Sequence, residues 1–102
     1  MKFGMTEEQF ELLKRLVITP LKALGAEVFI FGSRVGTSYH HHSDVDILYS
    51  FGAGKTVDAV AVSKIREAIE ESRFPFKVDL VDEKDLAESY RSGVSRTRQA
   101  VD

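Results

Sequence analysis

Cysteine is absent from this chain of 102 residues, so neither a disulfide framework nor a cysteine-based zinc site is open to it. Long apolar runs are missing too. None approaches the roughly 20 residues that a bilayer-spanning helix needs, and Met1-Lys2-Phe3 begins no secretory signal. An excess of one charge is likewise lacking: 14 Lys and Arg against 16 Asp and Glu leave a net charge of −2. That balance argues against broad coating of nucleic acid, and no direct nucleic-acid binding is expected. There is no internal repeat and no low-complexity tract. What remains is one small domain, expected to be cytoplasmic, whose modest core a partner would help to stabilise.

The pattern of apolar residues and breakers predicts helix, strand, strand, helix, strand, helix. Thr6-Glu7-Glu8-Gln9 has the form of a capping box, and Phe10, Leu13, Leu16 and Val17 then fall on one helical stripe. Pro20 should end or kink that helix near Thr19, with one more turn before Gly25. The run from Ala26 to Phe31, apolar except for Glu27, reads as a buried strand. A short helical turn and a polar loop are expected between Gly32 and Ser43, then a strand from Asp44 to Ser50. Thr56 is placed as the cap of a helix with Val57, Val60, Ala61, Ile65, Ala68 and Ile69 on one face. This helix should stop before Phe74-Pro75, because the residue before proline is biased away from helical geometry. A strand through Phe76–Asp82 and a short helix over Glu83–Tyr90 complete the expected domain, residues 1–90. Residues 91–102 read as a basic tail.

The chemistry concentrates in two segments. Phe31-Gly32-Ser33-Arg34 marks a tight turn at the end of a strand, and ten residues later Ser43-Asp44-Val45-Asp46-Ile47 opens the next strand. Strand side chains alternate, so Asp44 and Asp46 share one face while Val45 and Ile47 face apolar packing. Two carboxylates side by side form a hard-oxygen site suited to Mg²⁺. A Gly-Ser turn nearby offers N–H groups and a hydroxyl to a phosphate. Together they point to nucleotide chemistry.

These motifs resemble those of the minimal nucleotidyltransferases, the MNT group of the DNA polymerase beta-like superfamily, over roughly Leu12 to Asp85. That family's signature is a Gly-Ser turn, a spacer, an Asp-x-Asp pair and a third acid on a later strand. Phe76-Lys77-Val78-Asp79-Leu80-Val81-Asp82 supplies the third acid, assigned to Asp79; Asp82 has the opposite strand parity and borders the next helix. The resemblance implies an α/β (α+β) fold, a small mixed sheet with helices on one face, as in the polymerase beta palm. It implies ATP as nucleotide substrate and a two-ion Mg²⁺ site at Asp44, Asp46 and Asp79, the catalytic set. Two ions about 3.5–4 Å apart can stabilise both the attacking and the leaving oxygen. Gly32, Ser33 and Arg34 would then form the nucleotide-binding turn: Gly32 for close approach, Ser33 toward the terminal phosphates, Arg34 toward phosphate or a scaffold acid.

Three other features invite functional readings. Gly52-Ala53-Gly54-Lys55-Thr56 resembles part of a P-loop, but Tyr49 stands where the first glycine is required, so it reads as a helix-opening turn. His40-His41-His42 with Asp44 offers metal ligands, yet adjacent histidines seldom converge on one ion, and a solvated loop beside the site is the simpler reading. The tail carries Arg91, Arg96 and Arg98; fraying is favoured over a docking arm for an acidic partner or nucleic acid.

Family resemblance also implies the acceptor. MNT proteins commonly pair with a helical HEPN protein in a toxin–antitoxin module, where AMP passes to a tyrosine of the HEPN ribonuclease. An open site without a lid needs such a partner to exclude water. The competing readings are a non-catalytic module that binds nucleotide or HEPN protein, and a small-molecule nucleotidyltransferase of the aminoglycoside type. The second of these is less expected, because such relatives add a second domain over base and acceptor for which this chain is expected to have no room.

Overall fold

The computed structural model describes residues 3–32, 44–52, 58–85 and 98–101. The chain opens with helix α1 (Glu7–Leu13), passes through a π turn (Lys14–Ile18) and continues as α2 (Thr19–Ala23). Thr6 caps α1 as expected: its Oγ accepts from the Gln9 N–H at 3.2 Å, and Gln9 Oε1 accepts from the Thr6 N–H at 2.9 Å. Pro20 does not end the helix, which passes through a π turn just before it. Thr19 donates five residues back to Lys14, the wider spacing of a π turn, just before the position where proline has no N–H to give. Gly25, at φ +98°, then closes α2. Its N–H bonds the Lys22 carbonyl and that of Ala26 bonds Leu21, the two bonds of a Schellman stop.

Four strands form one mixed sheet in the order β3-β2-β1-β4, where β1 is Glu27–Phe31, β2 Val45–Ser50, β3 Val78–Asp82 and β4 Gln99–Ala100. β1 runs antiparallel to both β2 and β4, whereas β2 and β3 are parallel. A parallel pair needs a crossover, and α3 (Ala59–Glu70) supplies it. Val28 and Ile30 of β1, Val45, Ile47 and Tyr49 of β2, and Val78 and Leu80 of β3 belong to one core. The same core holds Leu13, Val17, Ile18 and Leu21 of the first helices and Val62, Ile65 and Ile69 of α3. Helices thus cover one face of a small mixed sheet, as expected.

Several expectations need correction. β1 is not buried on both sides: Val28 and Ile30 are buried while Phe29 and Phe31 are only half-buried, the alternation of a strand with one covered face. Asp58, not Thr56, caps α3, its Oδ1 accepting from the Ala61 N–H at 3.0 Å. The buried stripe is accordingly Val62, Ile65 and Ile69; Val60 is 65% exposed and Ala68 also faces solvent. Val57 lies outside the described residues. α3 thus presents Val62, in place of Val60 and Ala68, to the core it shares with the sheet. A 3₁₀ turn (Glu83–Asp85) follows β3, while the rest of the helix expected to reach Tyr90 lies outside the described residues.

Of the tail, residues 98–101 are described, and they are not frayed. β4 pairs with β1, the Val101 N–H donates to the Val28 carbonyl at 3.0 Å, and the Val101 side chain is buried. Arg98 lays its guanidinium 4.0 Å from the centroid of the Phe29 ring and pairs with Glu83 at 2.8 Å. Among the described residues, no helix is long and apolar enough to cross a membrane.

Candidate active site

The sheet face opposite the helices carries the candidate site. β2 and β3 pair so that Asp46 stands directly beside Asp79, between the registered pairs Val45 with Val78 and Ile47 with Leu80. Strand parity turns Val45, Ile47, Val78 and Leu80 into the core, and the two aspartates therefore project from the other face. Their backbones are separated by one interstrand spacing, about 4.8 Å. Asp46 is half-buried and the Asp79 side chain is 42% exposed, so both remain reachable from solvent. Asp44 lies one residue before β2, with the parity of Asp46, and is exposed.

Gly32 brings the other motif to the same place. It follows Phe31, the β1 residue paired with Asp46, and has φ +80°. A Cβ built there would collide with Asp46 Oδ2. Glycine is needed twice, for the left-handed backbone and for the carboxylate lying against its Cα. The close approach expected at Gly32 was that of phosphate; the group lying against it in the structure is the Asp46 carboxylate. Ser33, Arg34 and the histidines 40–42 lie outside the described residues, as do residues 53–57 of the P-loop-like segment.

Lys77, which sequence reasoning passed over, extends its Nζ to 3.8 Å from Asp79 Oδ1. A basic residue at the i−2 position of a strand acid was the signal available, since both side chains leave the strand on one face. Asp82 stands on the opposite side, against Tyr49 in register, and is buried. Its Oδ1 accepts from the Lys84 N–H at 3.0 Å and its Oδ2 pairs with Lys84 Nζ at 3.8 Å, so it shapes the turn that ends β3. Burial pushes the Tyr49 phenol above its ordinary pKa; Asp82 and Asp85 push it further and Arg66 opposes them.

Among the described residues, no three His, Asp or Glu side chains converge closely enough to hold a metal by themselves. The donor set is nonetheless that of a Mg²⁺ site completed by substrate. This ion is commonly held by one or two carboxylates together with phosphate oxygens and water. Two adjacent carboxylates and a glycine turn offer such a half-shell, and the residues fit the ion.

Comparisons with known proteins bear on the fold and the family. No curated protein matches the sequence. Among solved structures, a candidate minimal nucleotidyltransferase is 28% identical over 96% of both chains, with a TM-score of 0.67. A toxin–antitoxin structure with AMP-PNP matches at 23% identity over 85% of this chain and 70% of the other, with a TM-score of 0.63. A MntA–HpeT toxin–antitoxin structure, carrying two aspartate-to-glutamate changes two positions apart, matches at 21% identity over the same shares, with a TM-score of 0.61. The latter two share the fold. The family profile described as "Nucleotidyltransferase domain" matches residues 10–101, from α1 through β4. With its Gly32 turn set against the Asp46–Asp79 pair, this chain belongs to the nucleotidyltransferase domain family.

Proposed function

We propose that this chain transfers AMP from ATP to a hydroxyl group, with Asp44, Asp46 and Asp79 holding Mg²⁺ and Gly32, Ser33 and Arg34 receiving the phosphates. The observation that carries the reading is the in-register pair of Asp46 and Asp79 beside a glycine turn in a nucleotidyltransferase-family chain. Attack on the α-phosphate builds negative charge on the attacking oxygen and on pyrophosphate. Bound Mg²⁺ supplies the positive charge that stabilises both. Asp44 and Asp46 hold the triphosphate side of the site, and Asp46 and Asp79 the side of the incoming hydroxyl. Asp79 receives the proton of that hydroxyl at a carboxylate oxygen. Gly32 leaves room for the triphosphate, and the Ser33 hydroxyl donates to it.

The acceptor is a tyrosine of a helical HEPN-type partner, which would make this chain an antitoxin. Two structural relatives are toxin–antitoxin structures, one of them with an ATP analogue, and the paired aspartate changes in the other have the spacing of Asp44 and Asp46. Asp44 and the Asp79 side chain stay accessible to solvent, so a partner closing against them would exclude water from the reaction.

The test is the intact mass of a HEPN-type helical protein that co-purifies with this chain, after incubation with it, Mg²⁺ and ATP. An added AMP that disappears with Asp46→Asn supports the reading. Charge stabilisation by a metal is worth several kcal/mol, so that variant should fall at least about a hundredfold in rate. A stable complex with no added mass would favour a module that binds without transferring.

A further inference from the structure

We infer that Lys77 is a built-in monovalent counter-ion of Asp79, which a divalent ion must displace before the site can load. The inference rests on the metal-holding role proposed for Asp46 and Asp79. Lys77 lies one residue before β3 and two before Asp79, so extended parity puts both side chains on the same face. Its ammonium reaches to 3.8 Å from Asp79 Oδ1. The backbone at this point is pinned, because the Lys77 carbonyl accepts from the Val45 N–H at 2.8 Å. Val45 and Val78 are the first registered pair of β2 and β3, and Asp44 and Lys77 each stand one residue before it. The lysine stem therefore starts level with Asp44, two register positions from the Asp46–Asp79 pair and on the same parity.

Electrostatics gives this placement a consequence. Adjacent carboxylates repel, and a cation among them relieves that repulsion while no metal is bound. The Lys77 side chain is 71% exposed and keeps most of its hydration, so its hold on Asp79 is weak and reversible. A divalent ion carries twice the charge in a smaller volume and wins the competition, but the ammonium must first move aside. Apparent metal affinity is lowered by the strength of the ion pair, which for an exposed pair corresponds to about a two- to fivefold effect.

Mn²⁺ binding to the nucleotide-free full chain, read from the loss of the free-ion EPR signal at low ionic strength, tests this directly. Lys77→Gln should bind Mn²⁺ about two- to fivefold more tightly than the parent. Lys77→Arg, which keeps the charge, should match the parent. The gain should vanish when Asp79→Asn is added. Equal or weaker binding by Lys77→Gln overturns the assignment, as does a gain of the same size in Lys77→Arg. Absence of Mn²⁺ binding in every variant overturns it too. AMP transfer by the parent chain is scored separately, so a failed displacement with transfer intact loses only the role of Lys77.

Discussion

At the scale of single residues, Gly32 is the most constrained position described. Its φ of +80° disfavours any L side chain, and the Asp46 carboxylate occupies the space a methyl group would take. Gly32→Ala should cost about 1–2 kcal/mol for the backbone alone. It should also push Asp46 out of line with Asp79, so AMP transfer should fall much further than the shift in thermal midpoint would explain. Unaltered transfer in a folded Gly32→Ala protein would show that the turn and the carboxylate do not act together. The parity of Asp44, Asp46, Asp79 and Asp82 was legible in the sequence, because side-chain alternation is a local property of a strand. The neighbour that each acid would meet across the sheet was not.

Among elements, the helices illustrate how far local signals reach. Thr6 and Gln9 lie three residues apart and form their capping box with no help from the rest of the fold. At α3 the sequence reading placed the cap at Thr56, but Asp58 holds it, and Val62, Ile65 and Ile69 then lie in the core shared with the sheet. Asp58→Ala should lower stability by about 1 kcal/mol, measured by urea unfolding, whereas an equal loss from Thr56→Ala would contradict this cap. β4 is a second case. Its two residues carry no strand pattern, and it is held by pairing with β1 together with the contacts of Arg98. A double-mutant cycle of Arg98→Ala and Glu83→Ala should give a coupling of roughly 0.5–1 kcal/mol. Loss of the stacking on Phe29 should add about as much again to the Arg98→Ala single variant. A coupling near zero would mean that β4 is held by its backbone and by Val101 alone.

For the whole molecule, the buried end of the core face makes stability depend on alkaline pH. Tyr49 pairs in register with Asp82 beneath the helices, and its phenol titrates above the ordinary value when folded. The folded state therefore holds that proton more tightly than the unfolded chain, where the phenol titrates near about 10. The contribution is fully present below that pH and is lost as pH rises through the folded value. Unfolding free energy should decline above about pH 10, and Tyr49→Phe should flatten that decline while losing little at neutral pH. A slope unchanged in the phenylalanine variant would place the alkaline sensitivity elsewhere.

The sequence by itself determined the local parts of this protein: the capped first helix, the strand parity of the acids, the glycine turn and the family those motifs identify. Each depends on residues a few positions apart, where steric and hydrogen-bonding preferences act directly. Only the tertiary structure decided that Asp46 stands beside Asp79, that Lys77 reaches the same carboxylate, that Asp58 starts α3, and that the chain closes the sheet through β4. Those outcomes depend on register between segments far apart in the chain. Register is chosen by the whole apolar face at once, since a shift of one residue would turn Ile47 and Val45 to solvent and the aspartates into the core.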